Sequence, residues 1–453
     1  MADIVIIGAG ITGLSVAYHL EQNGYYNYAL FEKDADIGGL CRSVQHEGFT
    51  FDYTGHLLHI NDAYFRSFIE KNVGLDAFHR IQRRSFIYSH DRFTRYPFQI
   101  NLHGLPPEVI AECIEAYVNR RHIPHPKTFY AWVMTTFGAG FAKHFFFPYQ
   151  EKIFAYPVKK LSASWTQRFV PKTSLHEMLM GALHDNYDPH AGYNAEFLYP
   201  KSGGIISWLQ AVAQNLSNPI YTNMSVSAVD MQNKIVTFTD GTTQSYKHLV
   251  STMPLKQLLT QIKEPADSQL KKAAPKLRCN KIVNFNLGIN RADVSDKHWV
   301  YFPENMFPFY RVGFYHNFSP NMAPKGCSSL YGEFSYMHAS QDYIDRTLEQ
   351  SLRAVKNIFN ITDNDVITQK TMHIDHAYVI FDRWRDKNLP AIHKELATYS
   401  IQSVGRYGAW KYSSMQEGVL DGKTIAEQLL VTPAHKTRTS KNSSSHTYKE
   451  QSV

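Results

Sequence analysis

Six residues near the N-terminus constrain this chain more than any other feature. Gly8-Ala9-Gly10-Ile11-Thr12-Gly13 follows an apolar run over 3–7 and opens a helix predicted to reach residue 23. A second apolar run over 28–31 ends in Glu32, 24 residues after Gly8. Strand, glycine turn, helix and strand in this order form a βαβ unit that cradles a dinucleotide. Gly8 permits the tight turn, Gly10 lets backbone approach a pyrophosphate, and Gly13 lets the helix pack on the strand. The helix N-terminus offers unpaired N–H groups and the positive end of its dipole to phosphate. Glu32 is placed to accept hydrogen bonds from a ribose. Gly38-Gly39-Leu40, six residues beyond that acid, brings a second stretch of bare backbone beside the ligand and turns the expectation toward FAD.

The rest of the chain is long enough for two or three folded units. It has 453 residues, 43% hydrophobic and 19% charged, so wholesale disorder is excluded. Helical spacing is predicted over 108–121, over 128–156 with breaks at Gly138 and Gly140, and over 175–184. Short strands follow over 220–250, with a hairpin at Asp240-Gly241. Alternating runs over 281–287, 299–302, 309–315 and 329–334 read as strands, and 343–358 and 423–430 as helices. The expected fold class is α/β: an FAD-binding Rossmann-type domain with an inserted helical domain and an antiparallel sheet domain. The expected FAD-binding pieces are 1–100, 191–275 and 396–433, the helical domain 101–190, the sheet domain 276–395, and a disordered tail 434–453.

Charge and cysteine usage narrow the partners. The net charge is +7, and the tail residues Lys436, Arg438, Lys441 and Lys449 against Glu450 account for +3 of it. The remainder suits an anionic small ligand and is too weak for nucleic acid, which calls for a clustered basic face. No apolar stretch reaches 18 residues, so no integral membrane segment is expected. Four widely spaced cysteines without a CxxC, and no signal peptide before the first strand, lead to the expectation of a reducing, cytoplasmic setting. No HExxH or Cys/His cluster suggests a metal. The segment Gly405–Gly418, just before the last predicted helix, is expected at the cofactor edge, with Met415 and Gln416 in it. A helix beginning near 420 would point its positive end at the flavin.

Further motifs resemble one family. Thr54-Gly55-His56, Arg83, Tyr96-Pro97-Phe98-Gln99-Ile100-Asn101 and His125-Pro126-Lys127-Thr128-Phe129 come first. Pro148-Tyr149, Lys152-Ile153-Phe154-Ala155-Tyr156-Pro157, Trp165-Thr166-Gln167-Arg168 and Asn194-Ala195 follow. Trp299-Val300-Tyr301-Phe302-Pro303-Glu304-Asn305, Pro308-Phe309-Tyr310-Arg311, Asp375-His376-Ala377-Tyr378 and Gly405-Arg406-Tyr407-Gly408 close the series. In this order, to about Val431, the chain resembles the FAD-dependent UDP-galactopyranose mutases, in particular their eukaryotic-type branch. Thr54 stands where that family carries the first Gly of Gly-Gly-His, and Phe154 where eukaryotic-type members carry Trp.

The resemblance implies roles. Arg168 and Arg311 would clamp a diphosphate, with Tyr301, Tyr378 and Tyr412 donating to it. Tyr96, Gln99 and Phe154 would hold uracil, and Asn194 would ride on a flap. Arg83 and Arg406 would lie near the flavin or the sugar, and His56 at the flavin face. It also implies the reaction, which interconverts UDP-galactopyranose and UDP-galactofuranose through a bond between reduced-flavin N5 and the sugar, without net redox change. His56, Arg168 and Arg311 would be the catalytic set, with NADPH as reductant. A mutase acting on another nucleotide sugar, a flavin amine or porphyrinogen-type oxidoreductase, and a non-catalytic FAD scaffold are the other readings.

Overall fold

In a computed structural model the protein is described over residues 2–166, 170–185, 195–265 and 267–431. Arg168, Asn194 and the tail 434–453 lie outside the described residues. The fold is mixed α/β. Its nucleotide-type sheet is parallel and five-stranded, in the order Ile401–Ser403, His248–Ser251, Ile4–Ile7, Tyr28–Phe31, Ile220–Tyr221. Ile4–Ile7 is buried at all four positions, as a central parallel strand covered on both faces must be. Strands from near residue 5, near 250 and near 402 are thus neighbours in one sheet, far apart as they are in sequence.

A second sheet of seven strands runs Val366–Ile374, Lys281–Ile289, Ser328–Tyr336, Arg311–Phe314, Trp299–Tyr301, Ser85–Ser89, Arg92–Arg95. Trp299–Tyr301 pairs in parallel with Ser85–Ser89, and the other pairings are antiparallel. The 366–374 strand and the Arg383–Thr398 helix, which contains Pro390, were not expected from the sequence. Pro390 argues against a helix interior, and packing of Leu389, Ile392 and Leu396 into a core overrides it.

The aromatic stretch forms Phe129–Thr136, Gly138–Phe141, a π-turn at Ala142–Phe146, and Phe147–Phe154. Gly138 breaks the helix as expected, at φ +83, where a Cβ would lie 2.2 Å from the Ala116 carbonyl oxygen. Gly140 does not break it. It is helical, and its missing side chain lets Pro107–Val118 approach until a Cβ would sit 2.5 Å from the Glu112 carbonyl oxygen.

The final helix differs most from expectation. It runs Met415–Val431, beginning eight residues before 423 and also ahead of the start near 420 expected at the cofactor edge. Ser414 caps it: Ser414 Oγ accepts from the Glu417 N–H at 3.3 Å, and the Glu417 carboxylate accepts from the Ser414 N–H at 2.7 Å. Gly418 and Gly422 lower helix propensity, yet here they let two helices touch. A Cβ on Gly422 would lie 2.5 Å from the Ser15 side chain in the Ile11–Gln22 helix.

Candidate functional site

The glycine cradle forms as the spacing requires. Gly8 has φ +97, and a Cβ on Gly13 would stand 1.8 Å from the Gly8 carbonyl oxygen, so the helix sits directly on the turn. Gly38 donates its N–H to the Ala9 carbonyl oxygen at 2.9 Å, and Gly39, at φ +61, lies against Gly10. Two loops of bare backbone therefore run side by side at the start of Ile11–Gln22. Glu32 is buried, and its carboxylate accepts from the Ala9 N–H at 2.7 Å and the Asp34 N–H at 3.1 Å. Each oxygen keeps a further lone pair for a ribose hydroxyl.

Beyond the cradle the chain converges on a cleft of about 220 Å³. Tyr96, Gln99, Phe154, Tyr301, Arg311, Tyr378, Arg406 and Tyr412 all line it. Their elements are remote in sequence: Phe154 ends the Phe147–Phe154 helix, Tyr301 and Arg311 are cross-strand partners, and Arg406 follows the 401–403 strand. Arg83 joins through Tyr96, its guanidinium 5.1 Å from that ring. Gln99 donates its amide N–H to the Pro171 carbonyl oxygen at 2.9 Å, which leaves Oε1 to accept from a ligand.

Rings wall the cleft. Tyr96 and Tyr301 lie 5.2 Å apart, Tyr149 and Tyr301 5.3 Å, and Phe154 and Tyr378 5.9 Å. Burial pushes the phenols of Tyr96, Tyr149 and Tyr301 up, and that of Tyr378 up to about 12. They stay protonated at neutral pH and are neutral donors suited to an anion.

The cradle and the cleft meet at two places. Gly405, at φ +76, packs on the dinucleotide helix so closely that a Cβ would lie 2.6 Å from Thr12 Oγ1. Arg406 then reaches into the cleft, donating to the Ser413 carbonyl oxygen at 2.9 Å and lying 4.8 Å from the Tyr412 ring. Gly55 packs on Tyr331, where a Cβ would stand 2.1 Å from the hydroxyl, and Tyr331 lies 5.9 Å from the Arg311 guanidinium. His56 follows on this loop. Its Nδ1 is buried and makes no hydrogen bond. Burial, then Arg406 and Arg311, push the imidazole down to about 4, so it is neutral. Thr54, a β-branched residue, holds φ +68 just before it.

A flavin dinucleotide fits these residues. The bare-backbone cradle suits a pyrophosphate, and the orphaned His56 Nδ1 beside Arg406 suits a polar ring edge. Leu40 packs on the cluster that holds Phe154, which joins the second glycine loop to the helical wall. Met415 is buried against Cys41, sulfur to sulfur at 3.6 Å. Gln416 points instead at the 61–62 backbone, its Oε1 accepting from the N–H groups of Asn61 and Asp62 at 2.8 and 3.0 Å. Among the described residues no cluster of His, Cys, Asp and Glu is arranged to hold a metal, and no helix is long and apolar enough to cross a membrane.

Three contributors were given no role from the sequence, although Tyr149 and Lys411 lie in segments that it singled out. Lys411 lines the cleft and pairs with Asp421 at 2.8 Å. Tyr149 lies in the wall. Glu333 grips Arg311 from behind with three hydrogen bonds. The available signal for Glu333 was a lone acid in the otherwise uncharged run Ser328–Tyr336.

Residues 11–428 match the model of the flavin containing amine oxidoreductases. A crystal structure of reduced UDP-galactopyranose mutase superposes with a TM-score of 0.88 at 29% identity, over 95% of this chain and 96% of that one. A putative protoporphyrinogen oxidase from Exiguobacterium sp. 255-15 gives 0.73 at 15% identity, over 94% and 98%. Wild-type putrescine oxidase bound to putrescine gives 0.65 at 14%, over 95% and 99%. These last two share the fold alone. Among curated proteins, 4,4'-diapophytoene desaturase of Staphylococcus aureus (strain COL) is 29% identical over 85 residues, which are 19% of this chain and 17% of the desaturase.

Proposed function

The chain belongs to the flavin containing amine oxidoreductases, and from that premise we propose that it is a nucleotide-sugar mutase. It would interconvert UDP-galactopyranose and UDP-galactofuranose without net redox change, as its eukaryotic-type motifs suggest. The observation that carries this reading is the cleft itself, where Arg311 and Arg406 face one space lined by the phenols of Tyr96, Tyr149, Tyr301 and Tyr378. Guanidinium forks and neutral hydroxyls are the donors that a diphosphate takes. The positive charge of Arg406 repels the ammonium group that an amine oxidase must admit, which argues against that alternative. The 29% identity to UDP-galactopyranose mutase over nearly the full length supports the same choice.

In this reading FAD, when bound and reduced, supplies the nucleophile for the anomeric carbon, and NADPH is the reductant. The protein supplies binding and charge. Arg311, with Arg168 outside the described residues, takes up the charge that develops on departing UDP. Arg406 holds the diphosphate against the cofactor edge, and Tyr301, Tyr378 and Tyr412 donate to it. Gln99 Oε1 accepts from the uracil N3–H, Phe154 and Tyr96 flank the base, and Arg83 steadies Tyr96. Asn194 is assigned to the uridine side. Neutral His56 accepts or donates at the flavin edge without adding a cation beside Arg406. Keeping UDP in place converts its return into a step within one complex. Residues 1–84, 191–275 and 396–433 are assigned to the cofactor and 101–190 and 276–395 to the walls of the cleft, which 85–100 joins because its strands Ser85–Ser89 and Arg92–Arg95 extend the seven-stranded sheet and Tyr96 and Gln99 line the cleft.

The test is turnover of UDP-galactofuranose by dithionite-reduced and by oxidised protein. Reduced protein is expected to form the pyranose and oxidised protein to be inactive. Equal turnover in both states, or NADPH consumed one for one with product, would overturn the assignment. Oxygen uptake with an amine would favour the oxidase alternative.

A further inference from the structure

We propose that Glu333 is a positioning residue that aims Arg311 into the cleft and offsets its charge, so that a bound diphosphate is oriented without being held too tightly to leave. The inference rests on the nucleotide-sugar reading. Arg311 and Glu333 are direct partners across two antiparallel strands. Arg311 Nε donates to Glu333 Oε1 at 3.1 Å, and Nη2 donates to Oε1 at 2.7 Å and to Oε2 at 3.0 Å. The Tyr310 hydroxyl also donates to Oε2, and the Tyr310 N–H to the Glu333 carbonyl oxygen at 3.0 Å. A guanidinium has five N–H donors in a rigid fork. Glu333 takes the Nε edge, so Nη1 is the end left for the ligand.

The charges divide unevenly. The Glu333 side chain is fully buried, while that of Arg311 keeps 18% exposure at the cleft. The pair is neutral as a unit, and Lys411 is likewise paired, with Asp421. Arg406 instead donates to a backbone carbonyl and lies among the rings of Tyr378, Tyr407 and Tyr412. Attraction of an anion therefore falls mainly to Arg406, and Arg311 contributes direction. Removing the Glu333 charge would turn Arg311 into a second full cation facing the diphosphate.

Glu333→Gln isolates this effect. The amide oxygen can still accept from Arg311, and the amide N–H can donate to Tyr310. UDP and uridine are titrated into wild-type and E333Q holoenzyme by calorimetry, with turnover of UDP-galactofuranose measured alongside. UDP is expected to bind at least about ten-fold more tightly to E333Q, the effect of one unit charge about 12 Å away at an effective dielectric near 20. Uridine affinity should stay unchanged and kcat should fall. A merely structural role would weaken UDP and uridine together. If E333Q does not fold, Glu333→Asp is used. It keeps the charge, but its withdrawn carboxylate cannot span Nε and Nη2, so UDP should bind no more tightly than to wild type while kcat falls and uridine affinity is unchanged. UDP binding to E333Q that is unchanged or weaker than wild type, or a Glu333→Asp variant that keeps wild-type kcat, overturns the proposal while leaving the nucleotide-sugar reading intact. Failure of wild-type protein to bind UDP overturns both.

Discussion

The Arg311–Glu333 pair makes Arg311→Ala a test of stability before it is a test of binding. The substitution deletes three hydrogen bonds to a carboxylate that has no exposure of its own. Breaking a buried pair by removing one partner costs about 3–5 kcal/mol, because the remaining charge is left uncompensated. At about 2.1 cal/mol/K per residue, the 453 residues give an unfolding entropy of about 0.95 kcal/mol/K. The melting temperature of ligand-free Arg311→Ala should therefore fall by roughly 3–5 °C. Arg311→Met combined with Glu333→Leu removes both charges and fills the space, and should recover most of that loss. Calorimetric melts of wild type, the single variant and the double variant measure both quantities. A single variant that melts with wild type, or a double variant no better than the single one, would refute the view that Glu333 depends on Arg311 for its burial. Loss of UDP affinity in Arg311→Ala is expected too, by several-fold or more, and is interpretable only beside these melts.

Two further outcomes follow from the cofactor side. His56 is held down to about 4, against 6.5 in the unfolded chain, so between those values the unfolded chain takes up a proton that the folded one refuses. Stability should fall as the pH drops from 6.5 toward 4, and His56→Asn should flatten that fall; parallel pH–stability curves for the two proteins would contradict the assignment of cause. Gly13→Ala would place a Cβ 1.8 Å from the Gly8 carbonyl oxygen and force the turn apart, so purified protein should lose most of its visible flavin absorbance. Gly24→Ala, at φ +75 with nothing within 4 Å, is the control and should keep it.

The nucleotide-binding start was legible because its constraints are local. The turn at Gly8, the contact at Gly13 and the acid at Glu32 all lie within one βαβ unit, and spacing along the chain equals arrangement in space. The hairpin at Asp240-Gly241 was legible for the same reason, with Gly241 at φ +86. The start of the last helix was not. Gly418 and Gly422 read as helix breakers in isolation, and become an advantage only where Ile11–Gln22 presses against them.

The candidate site divides along the same line. Motif order pointed to Tyr96, Gln99, Phe154, Tyr301, Arg311, Tyr378, Arg406 and Tyr412, and the folded chain gathers all eight around one cleft. Residue identity alone determined what chemistry those side chains can offer, since donors and rings keep their character in any fold. Which donors remain available was decided only by tertiary structure. Glu333 occupies one edge of Arg311, Pro171 occupies the Gln99 amide, and Asn61 and Asp62 draw Gln416 toward their own backbone. The reason is that a side chain's free hydrogen-bonding capacity is what its neighbours leave over, and those neighbours come from strands and loops that only folding brings within reach.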